Sequence, residues 1–146
     1  MKKKRSQRFE PVVKVAENRE QEAARDLGRA QATLAEAQQR LSELESYREE
    51  YIKRFHSTGA VGMSAAQMLD YRAFMVKLDQ AIAEQGVVVE QVAHRAEQQR
   101  QEWFSRRGKV KMLDTVVTRY QADERRDADR KEQGDQDERT QQIKKP

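Results

Sequence analysis

The stretch that decides the fold is HSTGAVGM, residues 56–63, because it separates two long segments of heptad-repeating sequence. It holds Gly59 and Gly62 in a short run without a strong helical pattern, which marks a turn. Ser64 follows and precedes Gln67 by three residues, the spacing of a capping box at the start of a helix. The sequence therefore predicts one helix that ends before this stretch and a second helix that begins at Ser64.

Apolar and small residues recur at steps of three and four on both sides of the turn, over about six heptads before it and eight after it. Heptad spacing sustained over this length is typical of coiled coils. The seam before the turn comprises Val13, Ala16, Glu20, Ala23, Leu27, Ala30, Leu34, Ala37, Leu41, Leu44, Arg48, Tyr51 and Phe55. The seam after it comprises Met68, Tyr71, Met75, Leu78, Ile82, Gln85, Val89, Val92, Ala96, Gln99, Trp103, Arg106, Val110, Leu113, Val117 and Tyr120.

A fold-back at Gly59–Ala60 pairs these two seams in antiparallel orientation. The register places Leu41 opposite Leu78, Leu44 opposite Met75, Leu27 opposite Val92, Ala37 opposite Ile82, Ala30 opposite Val89, Ala16 opposite Trp103 and Glu20 opposite Gln99. A parallel dimer of one continuous rod is the alternative, and it leaves the glycine-containing break without a role. The predicted fold class is all-α, a long antiparallel two-helix coiled-coil hairpin with a charged C-terminal tail.

The expected boundaries follow from the limits of the two seams. Pro11 fits the first turn of a helix, where its missing N–H does no harm. Phe9 would face Val110, so the apolar residues that follow Val110, among them Leu113, Val117 and Tyr120, would have nothing opposite. The predicted segments are a basic N-terminal segment at 1–10, helix one at 11–56, a turn at 57–63, helix two at 64–125 and a charged tail at 126–146 that frays, with Gly134 as a limit.

Composition argues against an enzyme. Charged residues make up 37% and hydrophobic residues 36%, with six Gly and two Pro, the profile of long helices that bury a narrow seam. No nucleotide-binding, zinc-protease or nucleophile-elbow motif occurs, and His56 and His94 are too far apart to share a metal. The absence of Cys suits a reducing compartment. We expect a cytoplasmic protein without a cofactor, a metal or a membrane-inserted segment.

Positive charge is concentrated in two places although the formal net charge is only +4. Residues 1–10 carry five bases and one acid, and residues 94–119 carry seven bases and three acids. Such patches attract nucleic acid, anionic lipid or an acidic protein, and they also occur as simple solvated helix faces.

The stretch LESYREEYIKRF, residues 44–55, places Tyr47, Tyr51 and Phe55 four residues apart, on one side of a helix. In the hairpin, Leu44, Tyr47 and Tyr51 come near Phe74, Leu78 and Ala81. Two interpretations stay open: a core widened by its flanking positions, or an aromatic surface for a partner.

The residues around the turn resemble the flagellar export protein FliJ family. The resemblance covers roughly residues 8–120, and the Leu69-to-Tyr71 spacing departs from the family pattern, so that Met68 fills the expected leucine position. The residues that carry it are Leu44, Tyr47, Glu50 and Tyr51 before the turn, Tyr71, Phe74, Leu78, Ala81, Ile82 and Gln85 after it, and Arg8, Phe9 and the Trp103 region further away.

The resemblance implies a non-enzymatic coiled coil, similar to the stalk of rotary ATPases, that joins the export ATPase hexamer to the cytoplasmic domain of the export gate and handles export chaperones. It implies a place in the cytoplasm at the membrane base of the flagellum. The expected gate contacts are Leu44, Tyr47, Tyr51, Phe74, Leu78, Ala81 and Gln85. The expected ATPase contacts are Arg106, Arg107, Lys109, Leu113, Val117 and Tyr120.

Two rival functions remain at this point. A nucleic-acid-binding coiled coil would use the bases at 94–119, but it needs stacking aromatics on that face, and Phe104 alone is little support. A purely structural spacer rod would need no partner surface at all. No nucleic-acid partner is expected.

Overall fold

The computed structural model describes residues 3–59 and 62–144, and these residues form two α-helices. Helix α1 spans Arg5–Thr58 and helix α2 spans Ala65–Lys144. The two helices pack against each other in antiparallel orientation, and the part of the chain described contains no strand. The predicted all-α coiled-coil hairpin is confirmed.

Both helices extend beyond the segments expected from the sequence. Helix α1 begins at Arg5, so Pro11 lies inside it rather than in its first turn. Helix α2 continues through Gly134, into the segment expected to fray. Alternating charges in this segment place Arg and Asp three residues apart, as in the Arg130–Asp127 pair at 3.6 Å, and such pairs support a solvated helix.

The connection between the helices is defined at both of its ends. Gly59 has a φ of +73°, and its N–H donates to the carbonyl of Phe55 at 3.2 Å, as in a left-handed helix cap. The Ser64 N–H donates to Gln67 Oε1 at 3.0 Å, and the Gln67 N–H donates to Ser64 Oγ at 3.2 Å. The predicted capping box is therefore confirmed. Ala60, one of the two residues of the expected fold-back point, and its neighbour Val61 lie outside the described residues, as do residues 1–2 and 145–146.

The chain divides into two compact units, each built from a segment of α1 and a segment of α2. We call Met1–Ala23 with Trp103–Pro146 the terminal unit, and Ala24–Glu102 the loop unit. Each has a thin core of small and aliphatic side chains, as expected when two helices bury only one seam. The buried apolar residues are Ala16, Ala23 and Leu113 in the terminal unit and Ala37, Leu78 and Ala96 in the loop unit.

The register within the loop unit differs from the predicted one. Gln85 Nε2 donates to the carbonyl of Ala37 at 3.0 Å, whereas the sequence register placed Ile82 opposite Ala37. Helix α1 ends at Thr58 and α2 begins at Ala65, so the chain reverses later than expected. A later reversal moves each α2 partner by about one helical turn, which returns the seam to the same face.

The terminal unit shows the same displacement. Trp103 Nε1 donates to Glu20 Oε1 at 2.9 Å, although the predicted register paired Glu20 with Gln99 and Trp103 with Ala16. Side chains of a helix lean towards its N-terminus. On two antiparallel helices they lean in opposite directions, so two long side chains in contact belong to residues further apart in sequence than two residues whose Cα atoms face each other. Glu20 is tolerated in the seam because its carboxylate accepts a hydrogen bond from the indole N–H of Trp103, the only tryptophan in the sequence.

The apolar strip of Leu113, Val117 and Tyr120 on α2 is covered, although the sequence predicted that it would have nothing opposite. The Phe9 and Tyr120 rings lie 5.4 Å apart, whereas the predicted register ended with Phe9 against Val110. Leu113 is only 7% exposed. The prediction that Leu113, Val117 and Tyr120 have nothing opposite is wrong for two reasons: α1 begins six residues before Pro11, and the register is displaced so that Phe9 meets Tyr120 instead of Val110.

Candidate functional site: an aromatic patch and a basic end

The aromatic patch lies in the loop unit and consists of Tyr47, Tyr51 and Phe55 on α1 with Tyr71 and Phe74 on α2. Ring centroids are 4.1 Å apart for Phe55–Tyr71, 5.5 Å for Tyr51–Tyr71 and 4.5 Å for Tyr51–Phe74. The first two pairs are stacked, with interplanar angles of 17° and 6°. The α1 rings, four residues apart, therefore interleave with the rings of Tyr71 and Phe74 and hold the helices together near the turn.

Tyr47 forms the outer edge of the aromatic patch. Its ring lies 6.1 Å from Phe74 and 6.2 Å from Tyr51, and the residue is 45% exposed. The inner rings therefore belong to the helix interface, and Tyr47 presents one aromatic face to solvent; that a partner binds this face stays a prediction. A Tyr held on one side by two other rings loses little freedom when a partner covers its outer side.

The other expected gate residues divide between core and rim. Leu78 is 6% exposed and belongs to the core, while Leu44 and Ala81 are half-buried. Gln85 is half-buried, and its amide is engaged by the Ala37 carbonyl. The structure thus brings the expected residues to one region but leaves Tyr47 as the one that is open to solvent.

Arg48 and Asp79 flank the same region. Arg48 Nε lies 2.7 Å from Asp79 Oδ1, with both side chains about half exposed. The pair explains why a charged residue occupies the α1 seam, because Arg48 reaches sideways to α2 instead of entering the core. The sequence carried no separate signal for this pairing, since Asp79 is one of many acids on the solvated face.

The basic end lies in the terminal unit around Trp103. The Arg107 guanidinium carbon lies 5.2 Å from the centroid of the Trp103 ring, while the indole N–H donates to Glu20. Arg107 is therefore positioned by a cation–π contact. Lys109 is exposed and Arg106 is half-buried.

An apolar groove of about 330 Å³ adjoins these bases, and the sequence analysis did not find it. Val12 and Val15 on its floor are about half exposed. The signal for the groove is the pair of valines three residues apart, outside the seam. Its lining comprises Pro11, Val12, Val15, Ala16, Arg19, Arg106 and Lys109.

The remaining expected ATPase residues are packed rather than free. Leu113 lies in the core, Val117 and Tyr120 are half-buried, and Tyr120 contacts both Phe9 and the Arg5 guanidinium, 5.7 Å from its ring centroid. The bases Arg107 and Lys109 therefore remain as the accessible part of the predicted set.

The start of α1 is fixed by a long-range pair. The Ser6 hydroxyl donates to Glu124 Oε2 at 2.7 Å and the Ser6 N–H donates to Glu124 Oε1 at 3.1 Å. The first N–H groups of a helix have no partner within it, and a carboxylate also suits the positive end of the helix dipole. The Ser6 hydroxyl, followed by its N–H, holds the pKa of Glu124 below its ordinary value.

The described residues present an aromatic patch and a group of bases on the surface. Among residues 3–59 and 62–144, no group of three or more His, Cys, Asp or Glu side chains is placed to hold a metal. Neither described helix contains a stretch long and apolar enough to cross a membrane. The fold and these surfaces define a helical interaction protein.

A comparison with known protein families identifies the family of this chain. The family described as "FliJ: Flagellar FliJ protein" matches residues 5–144, and the chain belongs to this family. It is a non-enzymatic component related to flagellar protein export. No curated protein matches the chain.

Proposed function

We propose that this chain acts as a stalk-like coiled coil that links the export ATPase ring to the cytoplasmic domain of the membrane export gate and handles export chaperones there. On this proposal it works in the cytoplasm, peripherally at the membrane base of the flagellum. The family match over nearly the whole chain is the observation that supports the proposal most. The aromatic patch and the basic end supply two separate surfaces of different chemistry.

The gate would bind the aromatic patch through Tyr47. An exposed aromatic side chain with a fixed inner side is the kind of residue that dominates an interface. The half-buried Leu44, Tyr51, Phe74, Ala81 and Gln85 would shape the rim and floor around it, with Leu78 supporting them from the core.

The test of this contact is the affinity of the purified gate domain for Tyr47→Ala. We expect a loss of about 2 kcal/mol, roughly thirtyfold in Kd. Val88→Ala is the matched control, since Val88 on α2 is 40% exposed against 45% for Tyr47. A Tyr47→Ala protein that is helical and binds the gate with wild-type affinity would contradict the gate contact.

The ATPase ring would contact the basic end through Arg107 and Lys109, which complement acidic groups of the ring. Charge complementarity of this kind chiefly raises the rate of association and weakens with salt. Lys109→Glu should reduce stimulation of ATPase hexamer assembly, most strongly at low salt. Lys131→Glu, an equal charge change far along the charged part of α2, should leave stimulation unchanged. Equal effects of the two substitutions would indicate a general response to net charge.

A further inference from the structure

Helix α2 carries a second heptad-spaced face in the loop unit, directed away from the core. Leu69, Val76 and Val87 on this face are 67%, 57% and 53% exposed. Leu78, nine residues after Leu69, is buried, and nine residues at about 100° each correspond to half a turn around the helix. We call this face the outer seam; it comprises Ala66, Leu69, Ala73, Val76, Gln80, Ala83 and Val87, all exposed and uncharged.

The outer seam has the pattern of a helix-pairing surface. Its members follow each other at alternating steps of three and four, the a and d positions of a heptad. A chain in which 37% of residues are charged exposes here an uncharged strip three heptads long. Exposed apolar strips on soluble proteins mark contact surfaces. Alanines at 66 and 73 allow a second helix to approach closely.

The flanking charges identify the second helix. One flank carries Asp70, Lys77 and Glu84, and the other carries Arg72 and Asp79. In a coiled coil these positions set partner and orientation. In an antiparallel pair each flank meets the same flank of the partner, and in a parallel pair it meets the opposite flank.

Two pairings of the outer seam with itself oppose like charges. A parallel pair sets Arg72 beside Lys77 of the second copy, and Asp79 beside Glu84. An antiparallel pair with Leu69 opposite Val87 sets Lys77 beside Lys77 of the second copy.

One self-pairing sets opposite charges beside each other on both flanks. An antiparallel pair with Leu69 opposite Gln80, and therefore Ala73 opposite Val76, sets Asp70 beside Lys77 of the second copy. The same register sets Arg72 beside Asp79 of the second copy. By two-fold symmetry each of these pairs occurs twice, which is the self-complementarity that an isologous interface requires.

We propose that the outer seam binds the outer seam of a second copy of this chain, antiparallel, in the register that places Asp70 beside Lys77. The dimer is weak, because the contact covers only about five helical turns and the flanking pairs are exposed. It leaves the aromatic patch accessible, since the core-facing side of α2 lies opposite the outer seam. The proposal is independent of the proposed export function.

Sedimentation equilibrium of the full chain from about 1 µM to about 1 mM tests the proposal. The wild type should dimerise within this range, and Val76→Asp, at the centre of the contact, should be monomeric throughout. Asp70→Lys alone and Lys77→Asp alone should each weaken the dimer about tenfold or more. The double variant Asp70→Lys, Lys77→Asp should return to near wild-type affinity. Asp79 is left unchanged because it also pairs with Arg48 within the chain.

Circular dichroism should show wild-type helicity for the two charge variants, whose sites are exposed. A wild type that stays monomeric at about 1 mM overturns the proposal. A stronger dimer for Lys77→Asp indicates the parallel pairing, and a stronger one for Asp70→Lys indicates the register with Leu69 opposite Val87. A double variant that fails to recover also overturns the proposal.

Discussion

Leu113→Ala tests the packing of the terminal unit, where the structure departs most from the sequence-based expectation. Leu113 is 7% exposed, whereas its neighbour Met112 is 57% exposed. Loss of three buried carbons at about 0.8 kcal/mol each gives roughly 2.4 kcal/mol, and a residual cavity adds to this. We expect the free energy of unfolding to fall by about 2–3 kcal/mol, and Tm by roughly 5–10 °C.

The measurement is urea unfolding followed by the fluorescence of Trp103, the only tryptophan in the chain and a member of the same unit. Met112→Ala is the control, and its free energy of unfolding should stay within about 0.5 kcal/mol of the wild type. If both variants unfold at the same midpoint with unchanged slope, Leu113 is not a core residue. The strip of Leu113, Val117 and Tyr120 would then be unopposed, as the sequence predicts.

Three further outcomes are expected from the contacts that end and flank the helices. Gly59→Ala should lower the free energy of unfolding in urea by about 1 kcal/mol, because the backbone φ of +73° disfavours any residue with a Cβ. Steric clash is not the cause, since no atom lies within 4 Å of an added Cβ. An unchanged unfolding midpoint would contradict the left-handed cap. Arg48→Ala should lower the free energy of unfolding by about 1 kcal/mol or less, because solvent screens both partners of the Arg48–Asp79 pair. A loss above about 2 kcal/mol would show that the pair is buried. The Ser6–Glu124 bonds lower the pKa of Glu124. Their contribution to stability is therefore fully present at a pH above the ordinary carboxyl pKa, and it is lost as the pH falls through the lowered pKa of Glu124. The protection factor of the amides at the start of α1 against hydrogen exchange should therefore fall in acid for the wild type, and be low and nearly independent of pH for Glu124→Ala, which removes the acceptor of both bonds.

The fold was predictable because its signals are local and repeated. Two heptad seams, two glycines and the Ser64–Gln67 box predict two helices and a reversal, and each of these features appears in the structure. The register was not predictable, since a shift of one helical turn returns a seam to the same face. Only the length of the connection between Thr58 and Ala65 distinguishes the two registers.

The early start of α1 escaped prediction for a different reason. Residues 1–10 appear as a solvated basic segment, and Pro11 suits a helix start. The contacts that extend the helix join Ser6 to Glu124 and Phe9 to Tyr120, more than one hundred residues away in the chain. The contact of Trp103 had a usable signal in the sequence. An indole N–H in a seam needs an acceptor, and Glu20 is an acidic residue of the other seam.

The aromatic patch holds the helix pair together, and this limits which variants can test the proposed gate contact. Phe74 lies 4.5 Å from Tyr51, and Leu78 is in the core, so truncation of either would loosen the helix pair near the turn whether or not a partner binds there. Tyr47 contributes less to the core because nearly half of it is exposed. A Tyr47→Ala protein that keeps its unfolding midpoint but loses gate affinity would therefore assign the surface, whereas the same loss for Phe74→Ala would not separate a missing contact from a displaced helix.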